Sequence, residues 1–267
     1  MVISSRFFIL ALLLLSTSCA TKVAEFRQSP EFTREAIVAY GVVIGGYAAP
    51  KIDLKKMMGA MRDSGDGKSR VFDISIDPDR SALNSKILEE AVRAKRSAYP
   101  VEGYDAFFAG MGKERYQEFA GEYFRNRAPG EKWLDAIRNL KTKGRYLLLA
   151  SEENNSVHYT SHHKKETENK KNVKSKIHSG KEITFETRRT MEVLFTVYDL
   201  KSGVEVWNGK IKKSKSKTSR QKAYIGSSSA GISLKSGNLL SIREPDFPME
   251  IDILKELFEA FALSLPE

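Results

Sequence analysis

Cysteine is nearly absent from this chain, with one residue, Cys19, in 267. One sulfur excludes a disulfide framework, a cysteine-held zinc cluster and a thiol-disulfide motif, each of which needs a second. Histidine is scarce too: there are four, none beyond His178. The serine-rich stretches "GSSSAG" and "GISLKSG" (226–237) therefore lack a downstream imidazole, and neither forms a Gly-x-Ser-x-Gly elbow. A complete phosphate loop is also missing. "SGDGKS" (64–69) lacks the spacing and joins a helix to a strand, the reverse of the required order, so it reads as a turn. After residue 15 no apolar run nears the ~20 residues of a spanning helix. What the chain does have is a 41% hydrophobic content, enough for a real core, and a formal charge of +10.

The first residues carry one positive charge at Arg6, an apolar run from Phe7 to Leu15, and the small residues Ser16, Thr17 and Ser18 before Cys19. That is the layout of a secretory signal peptide, too short to span a bilayer. The stretch resembles the lipobox of bacterial lipoproteins, although the usual Leu lies one place early at Leu15 and Ser16 takes its position. The resemblance implies that Cys19 is diacylated on sulfur and becomes the new N-terminus. Ala20 behind it is non-acidic, which in lipoproteins of the enterobacterial type goes with export to the outer membrane. The expected organisation is a signal peptide over 1–18, a lipidated tether over 19–34 and one domain over 35–267.

"AIVAYGVVIGG" (36–46) reads as a buried strand, and Ile52, Leu54, Met57, Met58 and Met61 as one face of a helix ending at Gly65. A strand over 70–77 and a helix through Leu83, Ile87, Leu88, Ala91 and Val92, capped by Asp79 or Ser81, come next. Aromatics recur at spacings of three and four over 104–126, from Tyr104 to Phe124, as the core stripe of one long helix. Pro129 suits the first turn of a short helix with Trp133, Leu134 and Ile137. From Gly144 the period becomes that of strands: "RYLLLASEE", "NSVHYTSHH", and "TFETRRTMEVLFTVYDL" with Met191, Val193, Phe195 and Val197 on one side. A turn at Asp199–Gly203 leads into "VEVWNGKIKK". Ile251, Leu254, Phe258, Phe261 and Leu265 space as a closing helix. The fold class is α/β (α+β): a mixed sheet with an antiparallel C-terminal half and helices packed on it.

The hairpin "VLFTVYDLKSGVEVWNGKI", a strand ending in Tyr-Asp-x-x-x-Gly and returning through a Trp, follows an apolar N-terminal strand with Gly. In this it is similar to envelope lipoproteins with a TolB N-terminal-like or CsgG-like domain, a group that includes LpoB-type activators. The likeness covers roughly 36–212 and the last helix. It implies a protein acting by binding or assembly rather than catalysis, and it transfers no functional residue.

The basicity is local. Between residues 162 and 222 there are 17 Lys or Arg against seven Asp or Glu, an excess equal to the +10 of the whole chain. Lys164, Lys165, Lys170, Lys171, Lys174 and Lys176 fall in a polar stretch that reads as a mobile loop (163–181). Lys210, Lys212, Lys213, Lys215, Lys217 and Arg220 follow the hairpin. Strand alternation puts Ile211, Lys213, Lys215 and Lys217 on one face, so the strand must leave the core as a solvated edge or ribbon. Loop and ladder together read either as a solubility device or as a contact for an anionic envelope component: lipid headgroups, glycan carboxylates or an acidic protein. Nucleic acid is disfavoured by the exported address, and a barrel-type pore by the lysines and by Arg188 and Arg189, which interrupt any lipid-facing strand. His158, His162 and His163 lack a convincing further metal ligand beside Lys164 and Lys165. The expectation is a non-catalytic, outer-membrane-anchored, periplasm-facing lipoprotein without cofactor. It binds the membrane through Cys19 and an envelope partner through its basic extension. The alternatives are an oligomeric structural or secretion-associated subunit assembling through its sheet edge, and a hydrolase with an unrecognised site.

Overall fold

The computed structural model describes residues 22–52, 69–70, 72–140, 142–165, 179–225 and 246–267. The signal peptide, Cys19 and the methionine-bearing helix expected after residue 52 lie outside them.

The chain is not an unstructured tether before residue 34: Lys22–Gln28 forms β1. Helix α1 (Arg34–Tyr40) follows, its first turn capped by Thr33, whose side chain accepts from the Ala36 amide at 3.3 Å. The predicted strand over 36–46 is thus half helix, and β2 occupies Val42–Ala48. Short strands β3 (Pro50–Ile52), β4 (Ser69–Arg70) and β5 (Phe72–Ile76) lead into α2 (Pro78–Lys95). The cap of α2 is Asp77 rather than Asp79 or Ser81; its carboxylate accepts from the amides of Asp79 and Arg80, with Pro78 opening the helix. After β6 (Val101–Glu102) the aromatic stripe is carried by two helices, α3 (Tyr104–Met111) and α4 (Lys113–Asn126), separated at Gly112. Then come α5 (Glu131–Arg138), three long strands β7 (Tyr146–Lys165), β8 (Ser179–Asp199) and β9 (Val204–Ile225), and α6 (Glu250–Ser264).

The main sheet runs β1-β9-β8-β7-β2-β6, with β4 beside β7. β2 is parallel to β7 and β6, and the three pairings from β7 through β8 and β9 to β1 are antiparallel. This is an α/β fold on a mixed sheet with an antiparallel C-terminal half. Every residue of β2 is buried, the pattern of a parallel strand covered on both faces. On one face α6 stacks Phe261 on Phe195, with ring centroids 4.2 Å apart, and meets Trp207 edge-on at 5.1 Å. Thr196 points the other way, and Tyr123 of α4 bonds its hydroxyl there at 2.9 Å. The aromatic stripe is core: Tyr104, Phe107, Tyr116, Phe119, Tyr123 and Trp133 are all buried.

The strands β7, β8 and β9 are longer than the sequence suggests. "RYLLLASEE" and "NSVHYTSHH" join in one 20-residue strand with a bulge between Glu152 and Asn154. β8 and β9 pair without a break from Arg188↔Ser216 out to Ser179↔Ile225. The segment expected as a loop from 163 is strand up to Lys165 and again from Ser179. At ~3.4 Å per residue these strands measure about 70 Å, more than the helices can cover. β2 leaves β7 after Ser151, and β1 meets β9 no further than Lys212. Beyond those points β7, β8 and β9 run on as a ribbon.

Candidate functional site

β9 carries the basic ladder, and the structure splits it between two faces. Lys213, Lys215 and Lys217 share the face on which α6 lies. Lys210, Lys212 and Arg220 take the opposite one, where Glu192 is the cross-strand neighbour of Lys212. The alternation predicted for Ile211, Lys213, Lys215 and Lys217 holds, and Lys217 is exposed as expected, but Lys213 and Lys215 are drawn out of water. Lys213 Nζ lies 2.9 Å from Glu256 and keeps only 11% of its side chain exposed; Lys215 Nζ lies 2.6 Å from the other oxygen of the same carboxylate. Lys215 also donates to the Asp252 carbonyl at 3.1 Å, and Lys217 pairs with Asp246 at 3.1 Å. Hydrogen bonds from Lys215 and then Lys213 hold the Glu256 carboxyl below its usual range. Three rungs of the ladder therefore dock α6 and the segment before it. The signal for this was in the sequence: Asp252 and Glu256 stand four apart on one stripe of the closing helix.

Between β9 and the start of α6 lies a groove of about 1010 Å³, lined by Arg188, residues 213–217, Phe247, Pro248, Met249, Asp252 and Glu256. Four cations and two carboxylates face it, and Met249 stands 64% exposed at its rim. Lys164 and Lys165 end β7, with backbone partners Glu182 and Lys181. Cys19, Lys170, Lys171, Lys174 and Lys176 lie outside the described residues. His158 and His162 are strand residues opposite Arg188 and Thr184. Among the described residues no group of three or more His, Cys, Asp or Glu is placed to hold a metal ion.

A second polar cluster, unseen in the sequence, sits where the ribbon leaves the core. Glu152 of β7 is wholly buried. Its Oε2 accepts from Tyr47 at 2.8 Å and from Arg80 Nη2 at 2.9 Å. The same Arg80 nitrogen pairs with Glu250 in the first turn of α6, and its Nη1 donates to the Pro50 carbonyl. Glu250 Oε2 further accepts from Asn155 at 3.2 Å and Arg189 at 3.4 Å. Desolvation pushes the Glu152 carboxyl up to about 7, against the pull of Arg80. Burial also raises the Tyr47 hydroxyl and lowers Arg189, whose Nε has no hydrogen-bond partner among the described residues. Burial opposes the charge of Arg80 as well, but the two carboxylates outweigh it and hold the guanidinium protonated. Every carboxylate in the cluster is engaged. The cluster ties α2, α6, β2, β7 and β8 at one point.

No family model matches this chain, and no curated protein matches it. Among solved structures it is similar to the PelC dodecamer from Paraburkholderia phytofirmans at 12% identity, covering 93% of this chain and 99% of that one, with a TM-score of 0.36. A point variant of the same dodecamer matches at 14% identity over 73% of this chain and 83% of that one, with a TM-score of 0.31. A likeness of that size leaves the function of this chain to be argued from its own residues.

Proposed function

We propose that this is a lipid-anchored envelope protein of the outer membrane, a non-catalytic binding or assembly module whose basic ribbon meets anionic groups at the bilayer surface. The observation that carries the reading is the register of β1. Its first residue, Lys22, pairs with Lys212, and because the strands are antiparallel the N-terminal end of β1 is the one nearest the ribbon. Cys19 is three residues away, a reach of at most ~10 Å. The ribbon continues from Lys212 to Ile225, about 40 Å further at ~3.4 Å per residue. An acylated Cys19 would thus hold the ribbon against the membrane, where each exposed basic residue contributes about 1 kcal/mol toward anionic headgroups. Two acyl chains would make the attachment stable. The resemblance to TolB N-terminal-like and CsgG-like domains supports the same class of action.

The test is mass spectrometry of the purified native protein together with flotation on vesicles. Cys19 carries a diacylglycerol group. Replacing Lys210, Lys212 and Arg220 by Ser, while sparing Lys213, Lys215 and Lys217 because they dock α6 and the segment before it, weakens flotation with anionic vesicles in low salt. An unmodified thiol removes the anchor from the account, and equal flotation of both proteins removes the ribbon.

The alternative is an oligomeric structural or secretion-associated subunit assembling through its sheet edge. What supports it is that, among the described residues, β9 has no strand partner on its outer edge past Lys212. Light scattering of the detergent-solubilised protein distinguishes the two, since a ring or stack has a mass several times that of the protomer.

A further inference from the structure

The opposite end of the sheet, where β7 begins and β8 turns into β9, holds a second basic feature. A cleft of about 380 Å³ is lined by nine residues, of which four are cations (Arg138, Lys143, Arg145 and Lys201) and none is acidic. We propose that this cleft binds the anionic group, carboxylate or phosphate, of a saccharide. The site needs no lipid anchor, so it stands apart from the reading above.

Two of the cations are held in place from behind. Arg145 gives Nε and Nη2 to the two oxygens of Asp199, at 2.8 and 2.6 Å, and its guanidinium carbon lies 5.0 Å over the Tyr40 ring. Arg138 gives Nε to the Leu200 carbonyl at 2.5 Å and Nη1 to Asp135 at 2.7 Å. Each guanidinium is then left with a nitrogen, Nη1 of Arg145 and Nη2 of Arg138, that has no protein acceptor among the described residues. The Lys143 and Lys201 ammonium groups have none either, and both side chains are exposed. Asp199 and Asp135 behind the arginines, and Glu102 on the Lys143 and Gly144 amides, offset part of the charge. The two spare guanidinium nitrogens and the two ammonium groups are the donors left facing the cleft, and fixed guanidinium groups bind an anion with little ordering cost.

Tyr40 specifies more than charge. It ends α1, stands 53% exposed and lies on the cleft wall, with Arg145 over its ring. An exposed aromatic ring beside anchored guanidinium groups suits the apolar CH face of a sugar whose acid group reaches the cations. The volume, about 380 Å³, falls within the ~300–1,000 Å³ of small-ligand sites. The register of β1 and the ribbon put this cleft at the end of the sheet remote from β1's N-terminus, where it is open to soluble or wall-linked glycan.

Titration calorimetry on the detergent-solubilised full chain tests this, at low and high salt. The probes are a galacturonic acid disaccharide, glucose 1-phosphate, a neutral disaccharide, inorganic phosphate and a tetra-aspartate peptide. The expected result is binding of an acidic sugar, the tighter of the two naming its anion, with the neutral disaccharide inert. Lys143→Ala with Lys201→Ala weakens that binding about tenfold, as the loss of charge-assisted hydrogen bonds implies, while the melting curve stays unchanged. Tyr40→Ala weakens the sugar and leaves inorganic phosphate where it was. Inorganic phosphate binding as tightly as either acidic sugar means an adventitious ion only and overturns the proposal. Tighter binding of the peptide, no binding of either acidic sugar, or an unaffected lysine double variant overturns it too.

Discussion

Arg80 and Glu152 meet at 2.9 Å with the carboxylate entirely out of contact with solvent. They come from α2 and β7, 72 residues apart in the chain. Glu250 at the head of α6 shares the same guanidinium nitrogen. One arginine thereby holds a helix, a strand and the closing helix in register at the root of the ribbon.

Arg80→Met leaves two carboxylates facing each other with only Arg189 to balance them. Breaking a buried pair from one side costs about 3–5 kcal/mol, more than the pair itself contributes. Urea denaturation is expected to show a loss of that size, and the double variant Arg80→Met with Glu152→Gln is expected to recover much of it. A loss below about 1 kcal/mol would mean that water shares the site and the cluster is no clasp.

The pH dependence follows from Glu152. Its carboxyl titrates near 7 in the folded protein, against an ordinary value of 4.5, so between those limits the folded chain keeps a proton that the unfolded chain has lost. Stability from this group is present in full below pH 4.5 and is lost as pH rises to 7, with a slope of at most about 1.4 kcal/mol per pH unit. Asp199, lowered mainly by its hydrogen bonds from Arg145, works in the opposite sense: its contribution is present above the usual carboxylate range and is lost as pH falls through it. Glu152→Gln is expected to flatten the stability profile in the upper window and leave the acid limb intact. A wild-type profile already flat from pH 4.5 to 7 contradicts the assignment.

Gly46 in β2 has φ of +122°, and a Cβ there would lie 2.1 Å from the Tyr116 hydroxyl and 3.3 Å from Ser85 Oγ. Gly46→Ala combines backbone strain with overpacking and is expected to cost about 2–4 kcal/mol in a thermal or urea melt. Adding Tyr116→Phe removes the colliding oxygen and should return part of the loss, the remainder being the backbone's share. No recovery at all would show that the cost is backbone alone.

Much of the fold was legible because it rests on local period and turn chemistry. Met191, Val193, Phe195 and Val197 alternate, and each is buried as predicted. The turn at Asp199–Gly203 closes with Gly203 at φ of 75° and Asp199 accepting the Lys201 amide. The closing helix spans Glu250–Ser264, with Leu254, Phe258 and Phe261 of the predicted stripe in the core, Ile251 partly buried against it and Leu265 buried just past the helix end. Other elements were hidden by competing signals. "AIVAY" is apolar enough for a strand, but the Thr33 cap and a chain reversal at Gly41 make it the end of a short helix. Residues 22–28 look too polar for a core strand because they form an edge, where one face meets water.

Hydrophobic periodicity and turn residues thus specify which segments are helix or strand, since those preferences act over a few neighbours. They also establish the local excess of positive charge. Which lysines stay free was decided by folding, because Glu256 reaches Lys213 and Lys215 only when α6 crosses β9. The same holds for Arg80, Glu152 and Glu250, whose pairing depends on three elements far apart in sequence arriving at one dry point. A buried charge survives there only when its partners come with it, and no local pattern can announce that meeting.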